Sequence, residues 1–554
     1  MKLTGSQVIA EILLEHKVDT VFGYPGGAAL NVYDALYEYK DQIRHIMTAH
    51  EQGAAHAADG YARSTGRTGV VFATSGPGAT NLVTGIATAF MDSIPMVAIT
   101  SNVPNSQIGK DAFQEVSITG VTMPVTKHNF FVNKIEMLPK ALHDAFRIAE
   151  SGRRGPVLVD ITKDVTAAKI DYKPGNYQSK PAEVARPTEK ELKKVADLIN
   201  GARRPIIYFG GGVAAGEAGL QLRELMKRAD IPATYTMMAA GVIGYDDPRN
   251  IGLLGMHGTI AANRAVDKAD LLLAFGTRFS DRVALNPKKF AKKATKVQVD
   301  IDKAEINKNV HVDYAVVSDI GEFLNGLLPL IEKNEHPSWV KEVTEMKKTT
   351  GDVKQGDSDL HPSEVITSIC DLTDKETIYV TDVGQHQMWA AQYLKHKNTH
   401  SFITSGGLGT MGFGYGAAIG AQIGNPNKRV IHITGDGSFH MNLNEACTAV
   451  SEKLPIISII MNNRVLGMVY QWQTVFYDGR YSSTTPERKT DFVKVIEGFG
   501  GTGYRAENPE QFREVFKKAL QQEGPVWIDC KIGREERVLP MIPGGGTVED
   551  MIIG

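Results

Sequence analysis

Cysteine is scarce: Cys370, Cys447 and Cys530 are the only three in 554 residues, too scattered for a disulfide framework and at neither CxxC nor zinc-ligand spacing. A reducing cytoplasm suits such a chain. Neither sign of charge is in surplus, since 61 Lys and Arg against 63 Asp and Glu leave a formal net charge of -2. That argues against nucleic acid or an anionic membrane as the main partner. A signal-peptide pattern is also missing: the opening "MKLTGSQVIAEILLEHKVD" carries Glu11 and Glu15 within its apolar rhythm and reads as an amphipathic helix. The charge-free stretch Gly69 to Met91 has the length of a membrane span, but "TSGPGATN" breaks it, so it reads as strand, loop and helix of a core.

What is present is the composition of a globular protein, 42% hydrophobic and 22% charged. At ordinary domain sizes the length predicts about three domains. Two polar, proline-bearing stretches, Tyr172 to Glu191 and Glu345 to Glu364, separate them, which sets expected domains at 1–172, 190–345 and 360–554. Each block repeats a short β-branched run, a Gly or Ser turn and a helical pattern, as in "GVVFATSGPGATNLVTGIATAF" and "RPIIYFGGGVAAGEAGLQLRELMKRA". Uncharged strands alternating with helices predict an α/β protein of three doubly wound domains with mainly parallel sheets.

In such sheets ligands gather at the carboxyl ends of strands. In "KRVIHITGDGSFHMNLNEACTAVSEKLPIISIIMNN", the run "KRVIHIT" reads as one strand and "PIISIIM" as the next. The segment "NLNEACTAVSEK" between them reads as a helix, with Asn442 and Glu445 spaced as a cap and its partner in the first turn. Adjacent parallel strands would then bring Asp436 and Asn463 to one edge, where a carboxylate, an amide oxygen and close-packing glycines suit Mg²⁺ that also holds phosphate oxygens. GDG is a common turn and NN a common loop, so spacing and strand context carry this reading.

GDG, a gap of 24 residues and then NN resembles the thiamine diphosphate (ThDP) motif of the decarboxylase and carboligase superfamily. "FGYPGGAALNVYDAL", "HEQGAAHAADGYAR", "TSGPGATN", "DAFQE", "LLGMHG", "FGTRFSDRV", "SGGLGTMGFGYGAAIGA", "GMVYQWQ" and "VLPMIPGGG" narrow the resemblance to the large catalytic subunits of the acetohydroxyacid synthase (acetolactate synthase) family, over nearly the whole chain.

The resemblance places the catalytic glutamate at Glu51, which would keep N1′ of the ThDP pyrimidine protonated so that the cofactor's own amino group can act as base. It makes Asp436 and Asn463 the side-chain ligands of Mg²⁺, with the carbonyl of Val465 a third. Met411 corresponds to the apolar wedge that bends the cofactor, although a methionine there also suits an ordinary core. Pro25, Gln385, His386, Gly409, Gly435, Gly437, Ser438, Gly467 and Met468 fall on further ThDP-binding positions. Phe113, Gln114 and Lys163 would line the channel to a partner chain's cofactor, with the backbone of Gly26 near the substrate oxygen. Met468 and Trp472, four apart on a helix, would face the acceptor substrate.

For the middle domain, Gly210, Gly212 and Ala215 form a GxGxxA pattern that turn glycines alone would also produce. The resemblance adds Arg153, Gly211, Met256, His257, Gly276, Arg278, Arg282, Asp300 and Asp319 as FAD contacts. One departure stands out: many members read RFDDRVTG, whereas this chain has "RFSDRVALN", with Ser280 in place of an acid.

The implied activity is condensation of two pyruvates, or of pyruvate with 2-ketobutyrate, in branched-chain amino-acid synthesis. The implied cofactors are ThDP, Mg²⁺ and a mainly structural FAD. The implied assembly is a homodimer or tetramer with sites at the dimer interface, and a small regulatory subunit is a further partner that the family can take. The rival readings are a flavin-free catabolic acetolactate synthase and a ThDP- and FAD-dependent pyruvate oxidase. Glyoxylate carboligase is disfavoured because that relative lacks the glutamate found here at Glu51.

Overall fold

Strands such as Gly69–Ala73 and Ile457–Asn462, which carry no charged side chain, are buried at every position. Both faces of their sheets must therefore be covered by helices. The computed structural model describes residues 1–175, 177, 184–348 and 358–553, and parts of the two linker stretches lie outside the described residues. Three sheets of six strands form, every pairing within them parallel. The α/β expectation holds in all three.

The first and third sheets share one topology. The first runs Arg44–Met47, Thr20–Gly23, Gly69–Ala73, Met96–Asn102, Pro156–Thr162, His128–Val132, and the third runs Phe402–Ile403, Ile378–Thr381, Val430–Gly435, Ile457–Asn462, Val526–Lys531, Thr502–Ala506. Numbering the strands of each sheet in chain order, both read 2-1-3-4-6-5. The middle sheet reads 3-2-1-4-5-6, the order of doubly wound dinucleotide-binding folds, with its reversal between Pro205–Phe209 and Leu271–Phe275.

The opening helix is Gly5–Glu15, capped by Thr4 and Gln7, and the strand before it, Lys2–Thr4, pairs antiparallel with Lys169–Asp171. Among the described residues no helix is long and apolar enough to cross a membrane.

The first and third domains meet through two small-residue helices, Glu51–Thr65 and Phe413–Gly424. A Cβ on Gly60 would overlap the Ala417 carbonyl, and one on Gly420 would overlap that of Ala57. "AAHAADG" and "GYGAAIGA" are thus the price of bringing two backbones together. Beside this crossing, Arg63 pairs with Asp59 and, at 2.9 Å, with Asp92, and donates to the Thr404 carbonyl at 2.9 Å. Asp92 in turn accepts the Gly407 N–H at 2.7 Å. All three charges are buried, so removing one partner leaves another uncompensated, a loss of roughly 3 to 5 kcal/mol. This hub ties the first domain to the loop that leads to Met411.

Candidate functional site

Strand Val430–Gly435 pairs with Ile457–Asn462 so that Gly435 lies opposite Met461. Asp436 and Asn463 therefore leave their strands at the same edge, as the spacing implies. Both are buried, and burial pushes the Asp436 carboxyl up to about 6, with the backbone N–H groups of Asp436 and Asn463 pulling the other way. A buried anion of this kind is costly unless paired or bound to a metal.

Asn463 Nδ2 donates to Gln385 Oε1 and its Oδ1 accepts the Val465 N–H, both at 3.2 Å. Gln385 donates onward to Gln471 Oε1 at 3.0 Å and to the Glu536 carbonyl at 2.8 Å. Two buried glutamine amides, Gln385 and Gln471, thereby orient Asn463. The glycines around this edge are packing requirements: a Cβ on Gly435 would lie 2.8 Å from His386 Nδ1, one on Gly437 2.7 Å from Leu466 Cδ2, and one on Gly467 would overlap Gln385 Oε1. His386 is buried, its imidazole lowered by burial to about 4, and its Nε2 has no hydrogen-bond partner among the described residues.

Met411 sits between Gly409 and Gly412, at φ +73° and +84°, a left-handed geometry that favours glycine. Ser438 Oγ accepts the Gly412 N–H at 3.0 Å, and Asn442 Nδ2 donates to the Gly412 carbonyl at 2.7 Å. The expected cap at Asn442 and Glu445 does not form. Leu443–Glu445 is a single 3₁₀ turn ahead of the helix Ala446–Ser451, Asn442 makes no side-chain cap bond, and Glu445 accepts the backbone N–H groups of Ala49 and His50 at 3.0 and 3.1 Å. Tertiary partners have displaced the local ones.

In the first domain His50 caps the helix Glu51–Thr65 by accepting the Gln52 N–H, which sets Glu51 at the helix start. Glu51 Oε2 accepts from Asn81 Nδ2 at 2.9 Å, and Oε1 lies 3.1 Å from where a Cβ on Gly78 would stand. Pro25 and Gly26 follow strand Thr20–Gly23, and Gly26 packs so tightly on Thr74 that no side chain fits. Thr74 Oγ1 and Ser75 Oγ are buried without hydrogen-bond partners among the described residues. Gln114 has φ +62° and abuts Gly76, while Phe113 is 88% exposed. Lys163 opens the short helix Lys163–Ala167 beyond strand Pro156–Thr162.

A cavity of about 970 Å³ runs from the middle domain into the third. All eleven positions expected to contact FAD line it: Arg153, Gly210, Gly211, Gly212, Met256, His257, Gly276, Arg278, Arg282, Asp300 and Asp319. Gly409, Met411, Met468 and Trp472 form its other end, and Glu51 is not on its wall. Gly210 and Gly212 pack on Gly276, where added Cβ atoms would stand 2.5 Å from its carbonyl oxygen and 2.6 Å from its Cα. The two loops at the sheet's reversal thus close on one another. Asp319 already caps the helix Ile320–Leu327 through Oδ1, and burial pushes the Asp300 carboxyl up to about 6.

Three family profiles match this chain: the thiamine pyrophosphate enzyme N-terminal TPP binding domain at residues 3–121, the central domain at 192–327 and the C-terminal TPP binding domain at 382–530. The acetolactate synthase of Mycobacterium bovis is 44% identical over 565 residues, 99% of this chain and 91% of its own. The chain belongs to the acetolactate synthase family. The acetolactate synthase catalytic subunit, mitochondrial, of Saccharomyces cerevisiae is 43% identical over 582 residues (99% and 84%). The acetolactate synthase large subunit of Porphyra purpurea is 42% identical over 567 residues (99% and 95%).

The enzyme expected from the sequence is borne out: a ThDP-dependent acetolactate synthase catalytic chain acting on pyruvate, of the branched-chain amino-acid type. The residues fit the cofactor, since the orphaned Thr74, Ser75 and His386 atoms offer it partners in the first and third domains. They fit a dinucleotide as well: Thr236 Oγ1, His257 Nδ1 and Trp472 Nε1 are buried without hydrogen-bond partners among the described residues and belong to residues of the cavity wall. Sequence reasoning missed Gln471, the reach of Arg63 to Asp92 and Thr404, and the destination of Glu445, because these contacts join residues 29 or more apart and have no local spacing.

Proposed function

We propose that two copies of this acetolactate synthase chain build each site, the third domain of one copy holding ThDP and Mg²⁺ and the first domain of the other presenting Glu51. Support comes from the exposed apolar side chains near both halves, Phe113 and Met47 at 88% and 58%, and Met441 and Leu408 at 56% and 44%. Asp436, Asn463 and the Val465 carbonyl hold the metal, and FAD occupies the cavity. Three free thiols suit a reducing cytoplasm. Parallel pairing of Val430–Gly435 with Ile457–Asn462 carries this reading, because it sets a buried carboxylate and a pre-oriented amide at one edge.

When bound, ThDP supplies the nucleophilic carbon that releases carbon dioxide from pyruvate and passes the two-carbon unit to a second keto acid. The protein's part is positional. Asn81 orders the Glu51 carboxylate, which holds the proton at N1′ of the pyrimidine. The glycine-flanked turn fixes Met411 beside the cofactor, and Met468 and Trp472 wall the space where the acceptor stands. FAD has no electrons to carry in the net reaction and serves to brace the cavity, in which Ser280 leaves the wall without the acid found in other members.

The test is carboligation with pyruvate alone and with added 2-ketobutyrate, with and without FAD. The expected result is a yellow protein forming both acetohydroxy acids, with activity dependent on FAD. Flavin reduction at the turnover rate would instead show a pyruvate oxidase, and full activity in a colourless protein a flavin-free catabolic enzyme.

Acceptor choice gives a further prediction. Pyruvate and 2-ketobutyrate differ by one methylene, which an apolar wall distinguishes by about 1 to 3 kcal/mol. Trp472 packs with Met256, Leu539 and Met541 at the cavity end. Trp472→Leu keeps acetolactate formation within roughly tenfold while most of the preference for 2-ketobutyrate is lost. Competition between both acceptors, scored as product ratio, checks it, and an unchanged ratio would make Trp472 a core residue only.

A further inference from the structure

Glu445 is completely buried and lies nine residues beyond Asp436 in the third domain, yet its carboxylate is engaged mostly by the first. Oε2 accepts the Ala49 N–H at 3.0 Å and Oε1 the His50 N–H at 3.1 Å, while the Thr448 hydroxyl donates to Oε2 at 2.7 Å. Those two backbone groups belong to the turn immediately before Glu51, and His50 is the residue that caps the Glu51 helix. A carboxylate taking two successive backbone N–H groups in a buried setting makes strong, orienting bonds.

Room for it is built into the sequence. A Cβ on Gly53 would overlap Glu445 Oε1, so glycine at this position is what lets the carboxylate reach the turn. Helix Glu51–Thr65 otherwise carries alanine on much of the face that packs against the third domain, and an alanine at 53 would cost no helix propensity. Its absence is explained by Glu445 and by nothing local.

We propose that Glu445 is a positioning residue of the reaction, which sets the direction of the Glu51 side chain by holding the Ala49–His50 turn from the third domain. Glu445 touches no substrate. Its effect is on the angle at which the Glu51 carboxylate meets the pyrimidine, and so on the proton held there. This rests on the proposed role of Glu51.

The test uses full-length enzyme reconstituted with ThDP and Mg²⁺, in the variants Glu445→Gln, Gly53→Ala and Thr448→Val. Glu445→Gln keeps the shape but turns an N–H donor toward one of the two backbone donors. Gly53→Ala displaces the carboxylate with Glu445 and Glu51 both intact, and Thr448→Val removes one anchoring bond. Three readouts are taken: the near-ultraviolet circular dichroism of bound ThDP, which reports its amino and imino forms, the ThDP dissociation constant, and kcat.

The expected result is loss of the imino signal and a fall in kcat of up to about 100-fold, the scale of an ångström-sized misplacement. ThDP affinity stays within about threefold. Thr448→Val, the mildest change, shows the same loss in smaller degree and decides the matter where the others do not fold. A folded variant with an unchanged imino signal would overturn the proposal, even if its melting temperature falls, because a merely structural carboxylate predicts that outcome. If Glu51→Gln itself leaves turnover normal, the role of Glu51 has failed; if Glu51→Gln is inactive and the Glu445 variants keep the signal, only this inference has.

Discussion

Glu51→Gln is expected to bind ThDP within a few-fold of the unchanged enzyme and to lose about 100- to 10,000-fold in kcat, the span of a lost general acid–base contact. Geometry explains why binding and turnover separate. Asn81 Nδ2 donates to one Glu51 oxygen at 2.9 Å, and the other faces Gly78. A glutamine of the same shape keeps its oxygen toward Asn81, because the reverse would set two N–H donors against each other. Its NH₂ is then the group turned toward the cofactor, able to donate to an unprotonated ring nitrogen but unable to hold a proton on it. The cofactor is held in the wrong protonation state. Steady-state kinetics beside calorimetric ThDP binding checks this, and near-normal kcat would remove Glu51 from the mechanism.

Asp436→Ala is expected to act the other way, on retention of the cofactor rather than on its proton. Removing groups that merely orient a metal ligand costs 10- to 100-fold in affinity, so removing the ligand itself should weaken Mg²⁺-dependent ThDP binding by more than about 100-fold. The apo fold should survive unharmed. Asp436 is a buried carboxylate that burial pushes up to about 6, and truncating it relieves a buried charge and leaves only a small space at a strand end. Thermal melting without ligand should therefore be unchanged or slightly higher, while calorimetry with Mg²⁺ and ThDP shows binding lost. Unchanged ThDP affinity would reduce Asp436 to a turn residue and take the metal assignment with it.

The α/β class was legible because uncharged β-branched runs such as "PIISIIM" have no stable place except inside a sheet covered on both sides. The meeting of Asp436 with Asn463 was legible for a related reason: consecutive parallel strands put their carboxyl ends together, so spacing along the chain became proximity at an edge. Of the eleven positions expected to contact FAD, nine came from resemblance alone, and Gly210 and Gly212 also from a GxGxxA pattern, which carries little because these glycines pack loop on loop and would be needed with no ligand at all.

Composition and pattern by themselves therefore determined the class of fold, its parallel sheets and the pairing of a carboxylate with an amide, since each follows from the periodicity of strands and the chemistry of single residues. Tertiary structure alone decided where Asn442, Glu445 and Gln385 spend their hydrogen bonds. The spacing of Asn442 and Glu445 suits a helix cap, but a buried polar group takes whatever partner lies within about 3 Å when the domains close. For Asn442 that partner is the turn carrying Met411, for Glu445 the turn before Glu51, and for Gln385 the amide of Asn463. No local rule encodes such contacts, because their partners lie 30, 395 or 396, and 78 residues away and meet only once the sheets are stacked.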